Sequence, residues 1–340
     1  MGGSRTPRCA RQRRFREPEA IMGVHLMKRL VLILLLCVAN PAWAGDEGFN
    51  GRWVIEPLGD NNGRVMWLEI SGAGAGPISG FMVGGGPGGQ LDPIHDAKIE
   101  GGQLAFHLER LFRRDESRLI KTPVVAALQG DVLHGAAMRG QGTILWLGKR
   151  APVLADRDDG SWKQSEPVAL LNGKDLSGWH TLRPGREEGW YVEDGVLKNH
   201  RRADLLVSDQ SFWNFRLQVE FLVHPDMNGG IGLRGRYEIQ ILDDHGTPAS
   251  DHGNAALYGR IAPSVNASRP AREWQSLDVR LVGRELTVEL NGVKTIDRKT
   301  IDGFTAMATD WREDMPGPIT LQGDHGAVEF RKIVVTPLAQ

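Results

Sequence analysis

From Gly45 onward, apolar and polar residues alternate with a period of two through many short stretches, and no stretch of helical period is long enough to build an ordinary helix. The clearest run sets Phe215, Leu217, Val219, Phe221 and Val223 on one side of a strand, with Arg216, Gln218 and Glu220 on the other. Leu286, Val288 and Leu290 lead into Asn291-Gly292, the favoured pair for a two-residue hairpin turn, and the chain leaves through Val293 to Ile296. With strands at Ile231–Arg234, Glu238–Leu242, Gln275–Leu281, Ile319–Gln322 and Val328–Val335, the count reaches about a dozen, which predicts two stacked antiparallel sheets. Upstream, seven short strands are predicted at Arg52–Pro57, Val65–Ile70, Ile78–Val83, Leu104–Leu108, Val124–Gln129, Val132–Ala137 and Thr143–Leu147, enough for a small barrel or sandwich. The polar, proline-bounded stretch from Ala151 to Pro167 separates the two patterns. The fold class is therefore all-β, with a small all-β domain over 45–150, a linker over 151–167 and a larger sandwich over 168–338.

The first 44 residues follow a different rule. Met27-Lys28-Arg29, the apolar run Leu30–Ala39 and Ala42-Trp43-Ala44 have the layout of a secretory signal peptide cut before Gly45, with translation starting at Met27. The expected location is periplasmic or secreted. Both cysteines, Cys9 and Cys37, fall in this leader, so a mature chain would carry no disulfide and would rely on packing. The leader holds eight Lys/Arg against two Asp/Glu, so its removal takes the formal charge from −1 to about −7, a balance that argues against nucleic acid as partner. No later apolar run approaches the ~20 residues of a membrane-spanning helix.

Candidate chemistry concentrates between Asn228 and His245. Alternation sends Ile231, Leu233, Tyr237, Ile239 and Ile241 to one face and Arg234, Arg236, Glu238 and Gln240 to the other, provided that Gly235-Arg236 keeps the register. Gly230 and Gly232 extend the polar face without side chains, which predicts room for a ligand near the backbone. Asp243, Asp244 and His245 crowd the strand's end, where carboxylate, imidazole and amide groups could converge on a sugar. A solvated outer strand would also be polar on one face.

The stretch Tyr237-Glu238-Ile239-Gln240-Ile241-Leu242-Asp243, preceded by Asn228-Gly229-Gly230-Ile231-Gly232-Leu233-Arg234, resembles the core signature of the 3-keto-disaccharide hydrolase family. Trp190-Tyr191-Val192-Glu193-Asp194-Gly195, Glu273-Trp274, Leu290-Asn291-Gly292, Gly317-Pro318-Ile319-Thr320-Leu321-Gln322 and Phe330-Arg331-Lys332-Ile333 follow in the family's order. Gly229, Gln275 and Lys332 depart from it, standing where serine, asparagine and asparagine are usual. The resemblance implies a concanavalin- or laminin-G-like jelly roll acting on glycosides already oxidised at C3. It also implies a sugar 3-dehydrogenase upstream as a functional partner. A C3 ketone acidifies the C2 proton, so a base can open a β-elimination that expels the C1 oxygen, and water then adds to the resulting glycal. Such a site needs a base, an acid and an oxyanion stabiliser. Glu238, Asp243, His245 and His325 are the candidate catalytic groups, and Arg234 or a bound divalent cation the candidate stabiliser. Asn228, Arg234, Gln240, Tyr258, Trp274 and Gln322 are the candidate substrate-binding residues.

Asp-His-Gly occurs at 244–246, 251–253 and 324–326, in predicted loops, where carboxylate plus imidazole would suit a divalent metal but the spacing matches no standard zinc motif. No organic cofactor is indicated. Trp274 and Trp311, beside polar loop residues, are the tryptophans best placed to stack on a sugar ring. The glycine run from Gly80 to Gly89 lacks the Lys-Ser/Thr of a phosphate loop. A non-catalytic carbohydrate-binding module on the same jelly roll is the alternative reading, and a lipocalin-like barrel in the first domain a third.

Overall fold

The computed structural model describes residues 45–59, 65–83, 91–112, 115–139, 142–185 and 189–340. The predicted leader with its two cysteines, Gly84 to Gly89 of the glycine run, and Arg113-Arg114 lie outside them. Apart from a single 3-10 turn at Asp46–Phe49, the regular structure of the described residues is β throughout.

The first sheet holds β1 (Gly51–Leu58), β2 (Met66–Ser71), β3 (Ser79–Val83), β4 (Leu91–Pro93), β5 (His95–Glu100), β6 (Gln103–Phe112), β7 (Asp115–Gln129), β8 (Val132–Arg139) and β9 (Gly142–Arg150). Its order, β4-β3-β2-β1-β9-β8-β7-β6-β5, is an antiparallel meander whose last strand returns to its first, so the sheet is nearly closed, with a seam between β4 and β5. Those two strands are the ones missing from the predicted seven. As edge strands they alternate only between half-buried and exposed in β5, and β4 carries a proline, so neither shows the apolar period that marks a strand. The interior is filled by Trp53, Ile55, Leu68, Met82, Phe106, Leu133 and Trp146 among others. Gly135 is needed there because a Cβ would overlap the Trp146 ring. A barrel holding an apolar ligand finds no room in a core packed this way.

The larger region supplies β10 (Lys163–Gln164), β11 (Val168–Ala169), β12 (Trp179–Thr181), β13 (Trp190–Glu193), β14 (Val196–Asn199), β15 (Leu206–Phe212), β16 (Phe215–Val223), β17 (Asn228–Leu233), β18 (Tyr237–Leu242), β19 (Gln275–Val282), β20 (Glu285–Leu290), β21 (Val293–Thr300), β22 (Gly317–Leu321) and β23 (Val328–Ala339). One sheet runs β13-β14-β23-β16-β19-β20-β21, with β10 and β11 also on β23, and the sheet facing it runs β12-β15-β22-β17-β18. This is the predicted sandwich. β16 alternates buried and half-buried without a break, as its sequence period requires. The hairpin between β20 and β21 turns at Asn291 and Gly292, both at positive φ, as a type I′ turn demands. Phe215, Leu217, Val219 and Phe221 from one sheet and Ile231, Leu233, Tyr237, Ile239 and Ile241 from the other share a single core.

That core does not stop at the sandwich. Val54, Val65, Trp67 and Val83, on the outside of the first sheet, belong to the same cluster, and the described residues, from Gly45 on, lie in one compact unit. The joint is made by a strap, residues 301–316, between β21 and β22. Trp67 packs its ring 5.2 Å from that of Phe304, and the Val65 N–H donates to the Ala308 carbonyl at 2.9 Å. The Lys149 ammonium sits 3.9 Å above the Trp311 ring. Gly303 is required at the contact, since a Cβ there would lie 2.7 Å from the Trp67 indole. Residues 151–167 are tied down too: Asp156 accepts from Trp213 and Asn214, both at 2.7 Å, and Asp158 pairs with Arg280. No helix among the described residues is long and apolar enough to cross a membrane.

Removing a fully buried tryptophan at such a joint leaves a cavity with walls on two sheets. Trp67→Ala is expected to lower the unfolding free energy by about 3–5 kcal/mol, measured by urea denaturation, and a loss under about 1 kcal/mol would show that the strap is held without it.

Candidate functional site

The outer face of the five-stranded sheet is built by register. β17 and β18 pair so that Gly230 stands opposite Gln240 and Gly232 opposite Glu238. On the other flank, Thr320 stands opposite Gly232, and the Gln322 N–H donates to the Gly230 carbonyl at 2.9 Å. Two rows result, Thr320–Gly232–Glu238 and Gln322–Gly230–Gln240, with the neighbouring Ile231, Ile239 and Leu321 pointing into the core.

The glycines do make room, but for the protein's own groups. A Cβ on Gly230 would lie 2.5 Å from Glu238 Oε1, so the carboxylate leans over Gly230. A Cβ on Gly232 would overlap Thr320 Oγ1 and come within 2.7 Å of the Met307 methyl. Met307 belongs to the strap and forms a small apolar cluster with Leu205 and Val207 over that end of the face. Glu238 and Gln240 are consequently buried, although they occupy the polar side of their strand.

Two further segments frame the face. The strap holds β18 through Thr305, whose Oγ1 accepts the Glu238 N–H at 2.9 Å and whose N–H donates to the Arg236 carbonyl at 3.1 Å. Residues 253–258 add themselves to the free edge of β18. The Ala255 N–H donates to the Gln240 carbonyl (2.8 Å), the Gln240 N–H to the Ala256 carbonyl (2.9 Å), and the Tyr258 N–H to the Glu238 carbonyl (3.0 Å). Tyr258, half-buried, therefore stands beside Glu238, and its ring meets the His252 ring edge-on at 4.7 Å.

Arg234 leaves the face. Arg234 and Gly235 both adopt positive φ, a turn that breaks the alternation after Leu233. The Arg234 guanidinium, fully buried, donates to the carbonyls of Trp213 (2.6 Å) and Gly283 (2.8 Å) and to Asn214 Oδ1 (2.9 Å), 4.1 Å from the Trp213 ring. Burial lowers its pKa to about 10, which keeps it protonated at neutral pH. It acts as a fastener rather than a group facing a ligand. Arg236 is a fastener for the strap, donating to Asp310 Oδ2 (2.7 Å) and to the carbonyls of Arg312 (2.5 Å) and Met315 (2.9 Å). Nearby, the buried Tyr237 hydroxyl donates to Glu313 (2.5 Å), and burial together with that carboxylate raises the phenol's pKa.

The remaining predicted residues are spread out. Asp243 accepts the Asp226 N–H at 3.0 Å and closes a turn, and the His245 ring, exposed, lies 2.7 Å from the Ser268 carbonyl. His325 is exposed, 2.7 Å from Asp324, on a loop whose Gly326 packs against the Asn228 backbone. Asn228, Gln322 and His325 thus meet at one end of the sheet. Trp274 goes to the other sheet, with the Arg331 guanidinium 4.4 Å from its ring, while Trp311 is covered by Lys149. For the divalent cation that the Asp-His-Gly loops would suit, no group of three or more His, Cys, Asp or Glu among the described residues is arranged as a ligand set.

Sequence reasoning missed one signal that only the fold exposes. Few buried polar atoms in a folded protein lack a partner. Among the described residues eight such atoms occur, and three of them, Asn228 Oδ1, Thr320 Oγ1 and His252 Nε2, lie on or beside this face. Asn228 and Thr320 share the outer face by strand parity, and His252 borders it through Tyr258. Unmet polar groups on a face that also carries a carboxylate are what a polyhydroxylated ligand would satisfy. A depression of about 410 Å³ lies on the outside of the opposite sheet, lined by Arg216, Asp278, Arg280 and Asp158 among others. Arg216 there pairs with Asp278, Arg280 with Asp158 and Lys294 with Asp297, so most of its charge is already met within the protein.

Against this geometry, residues 166–336 match the family described as 3-keto-alpha-glucoside-1,2-lyase-like domain. A glycosyl-hydrolase candidate from Parabacteroides distasonis is 27% identical, with 55% of this chain and 91% of that one covered and a TM-score of 0.44. A second from the same organism is 22% identical, covering 51% and 94%, with a TM-score of 0.42. A carbohydrate-binding module from Bacillus subtilis is 12% identical, covering 47% and 92%, with a TM-score of 0.30. No curated protein matches the chain.

Arg236→Met would take from the half-buried Asp310 carboxylate its buried partner, leaving it only Arg312, and would leave two carbonyls without their donor, a loss of about 1–3 kcal/mol in local or global stability. Trypsin is expected to cut this variant after Arg312 under conditions that leave the wild type intact. An unchanged digestion pattern would show that the strap does not depend on Arg236.

Proposed function

The chain belongs to the family of 3-keto-alpha-glucoside-1,2-lyase-like domains, the 3-keto-disaccharide hydrolase family, and on that premise we propose that it cleaves 3-keto-glycosides by elimination and hydration on the outer face of its five-stranded sheet. The observation that carries the reading is that Asn228 Oδ1 and Thr320 Oγ1, both without partners, lie on the same outer face as the Glu238 carboxylate by register, with the unpartnered His252 Nε2 at its margin. Gln240 and Gln322 flank Gly230 in the same row and can both donate to and accept from sugar hydroxyls.

The chemistry follows from the ketone. Removal of the C2 proton leaves its electron pair to form the C1=C2 bond as the C1–oxygen bond breaks. The departing oxygen takes up a proton, and water then adds across the double bond to return a free 3-keto sugar. Glu238 is the carboxylate that serves the glycosidic oxygen, while Asn228, Thr320, Gln240 and Gln322 orient the ring. A substrate already oxidised at C3 requires a sugar 3-dehydrogenase acting before this protein. The predicted leader makes it an exported enzyme, working in the periplasm or outside the cell. A non-catalytic module would lean on aromatic platforms, and the two tryptophans best suited to that role are engaged with Arg331 and Lys149.

The test is release of 4-nitrophenol from 4-nitrophenyl 3-keto-glucoside, with the unoxidised glucoside as control. Wild type is expected to act on the keto substrate alone. Glu238→Gln should lower kcat by about 10²-fold or more. Gly230→Ala should do the same by pushing the carboxylate aside, with little change in Tm, because a flexible carboxylate can yield where backbone cannot. Equal cleavage of both glucosides would overturn the keto mechanism, and binding of the keto sugar without cleavage would support the carbohydrate-binding reading.

A further inference from the structure

The elimination needs two proton-handling groups, one for C2 and one for the leaving oxygen, and Glu238 accounts for only one. We propose that His252, held by Asp251, is the base that takes the C2 proton, an assignment that rests on the function proposed above.

Neither residue stands out in the sequence, where Asp251-His252-Gly253 is one of three similar loops. The fold separates them. His245 donates from Nδ1 to the Ser268 carbonyl, and His325 pairs with Asp324 on an exposed loop. His252 immediately precedes the segment that zips onto β18, and its carbonyl lies 3.5 Å from the Gln240 side-chain nitrogen. Leu257 bridges Ile239 and enters the core, so Ala256 and Tyr258 on either side of it take the outer face with Glu238 and Gln240. The edge-on contact with Tyr258 at 4.7 Å then fixes the imidazole at the margin of that face.

The carboxylate neighbour selects the tautomer that the step needs. Asp251 Oδ1 lies 2.8 Å from His252 Nδ1. A neutral imidazole that gives its Nδ1–H to a carboxylate keeps its lone pair on Nε2, and the carboxylate stabilises the imidazolium formed when Nε2 takes a proton. Nε2 is screened from water and has no protein partner. An acceptor left unmet in this way is unfavourable, and substrate binding would relieve it. Nε2 accepts the C2 proton, the C–H electron pair becomes the C1=C2 bond, and the C1 oxygen departs with a proton delivered from the Glu238 side of the ring. The imidazolium returns its proton when water adds.

The experiment follows exchange of the C2 proton of methyl 3-keto-glucoside for deuterium by NMR, alongside 4-nitrophenol release from the chromogenic analogue. His252→Ala is expected to lose about 10²-fold or more in both, with partial rescue of exchange by added imidazole. Asp251→Asn, a change at an exposed side chain that leaves the ring in place, should lose about 10-fold or more in both. Exchange and release within about threefold of wild type in His252→Ala would remove His252 as the base while leaving the function standing. Wild type that neither exchanges nor releases would remove both the function and this assignment. A His252→Ala chain with lowered Tm and no imidazole rescue, together with a fully active Asp251→Asn, would also overturn it.

Discussion

Two guanidinium groups, buried on either side of one glycine, hold the rest of the site in position. Arg234 and Arg236 flank Gly235 at the tip of the β17–β18 hairpin, and both are fully buried. A charge taken out of water must find fixed acceptors or cost several kcal/mol, so each side chain dictates where its partners stand. Arg234 pins the hairpin to Trp213, Asn214 and Gly283 beside the other sheet, and Arg236 pins the strap at Asp310, Arg312 and Met315. With both ends fixed, the registers that pair Gly230 with Gln240 and Gly232 with Glu238 have no freedom to slip.

The strap carries this constraint outward. Its inner side contributes Thr305 to the backbone of Glu238 and Met307 to the cover over Gly232. Its outer side meets the first sheet at Trp67, Val65 and Lys149. Arg260, nearly buried, ties the strap's start by donating to the Phe304 carbonyl and to Asp302, and burial lowers its pKa. The first sheet therefore works on the site from a distance: its own interior is packed with side chains, and its outer face backs the strap that closes one end of the polar face.

Much of this architecture is legible in the sequence because period-two patterning and turn chemistry are local. The run from Phe215 to Val223 and the Asn291-Gly292 turn need no tertiary information. Parity also sends Glu238 and Gln240 to one face and Ile239 and Ile241 to the core. It fails at Arg234, where a left-handed turn resets the direction of the side chain, a conformation that arginine does not advertise. The glycines illustrate a subtler limit. Sequence shows that Gly230 and Gly232 lack side chains, but only the fold shows that Glu238, Thr320 and Met307 take up the space. Trp274 and His252 are long-range cases: which sheet a loop tryptophan joins, and which of three Asp-His pairs borders the polar face, depend on strand order rather than on neighbours in the chain.

The proposed function requires a 3-keto sugar to bind on the outer face of the five-stranded sheet. Amide hydrogen exchange of the whole protein, with and without a slowly cleaved 3-keto-glucoside, reads that claim directly. The account predicts protection confined to residues 228–233, 237–242, 252–258 and 320–325, and none with the unoxidised sugar. Protection centred instead on the charged depression around Arg216, Asp278 and Arg280, or the same protection by both sugars, would contradict it.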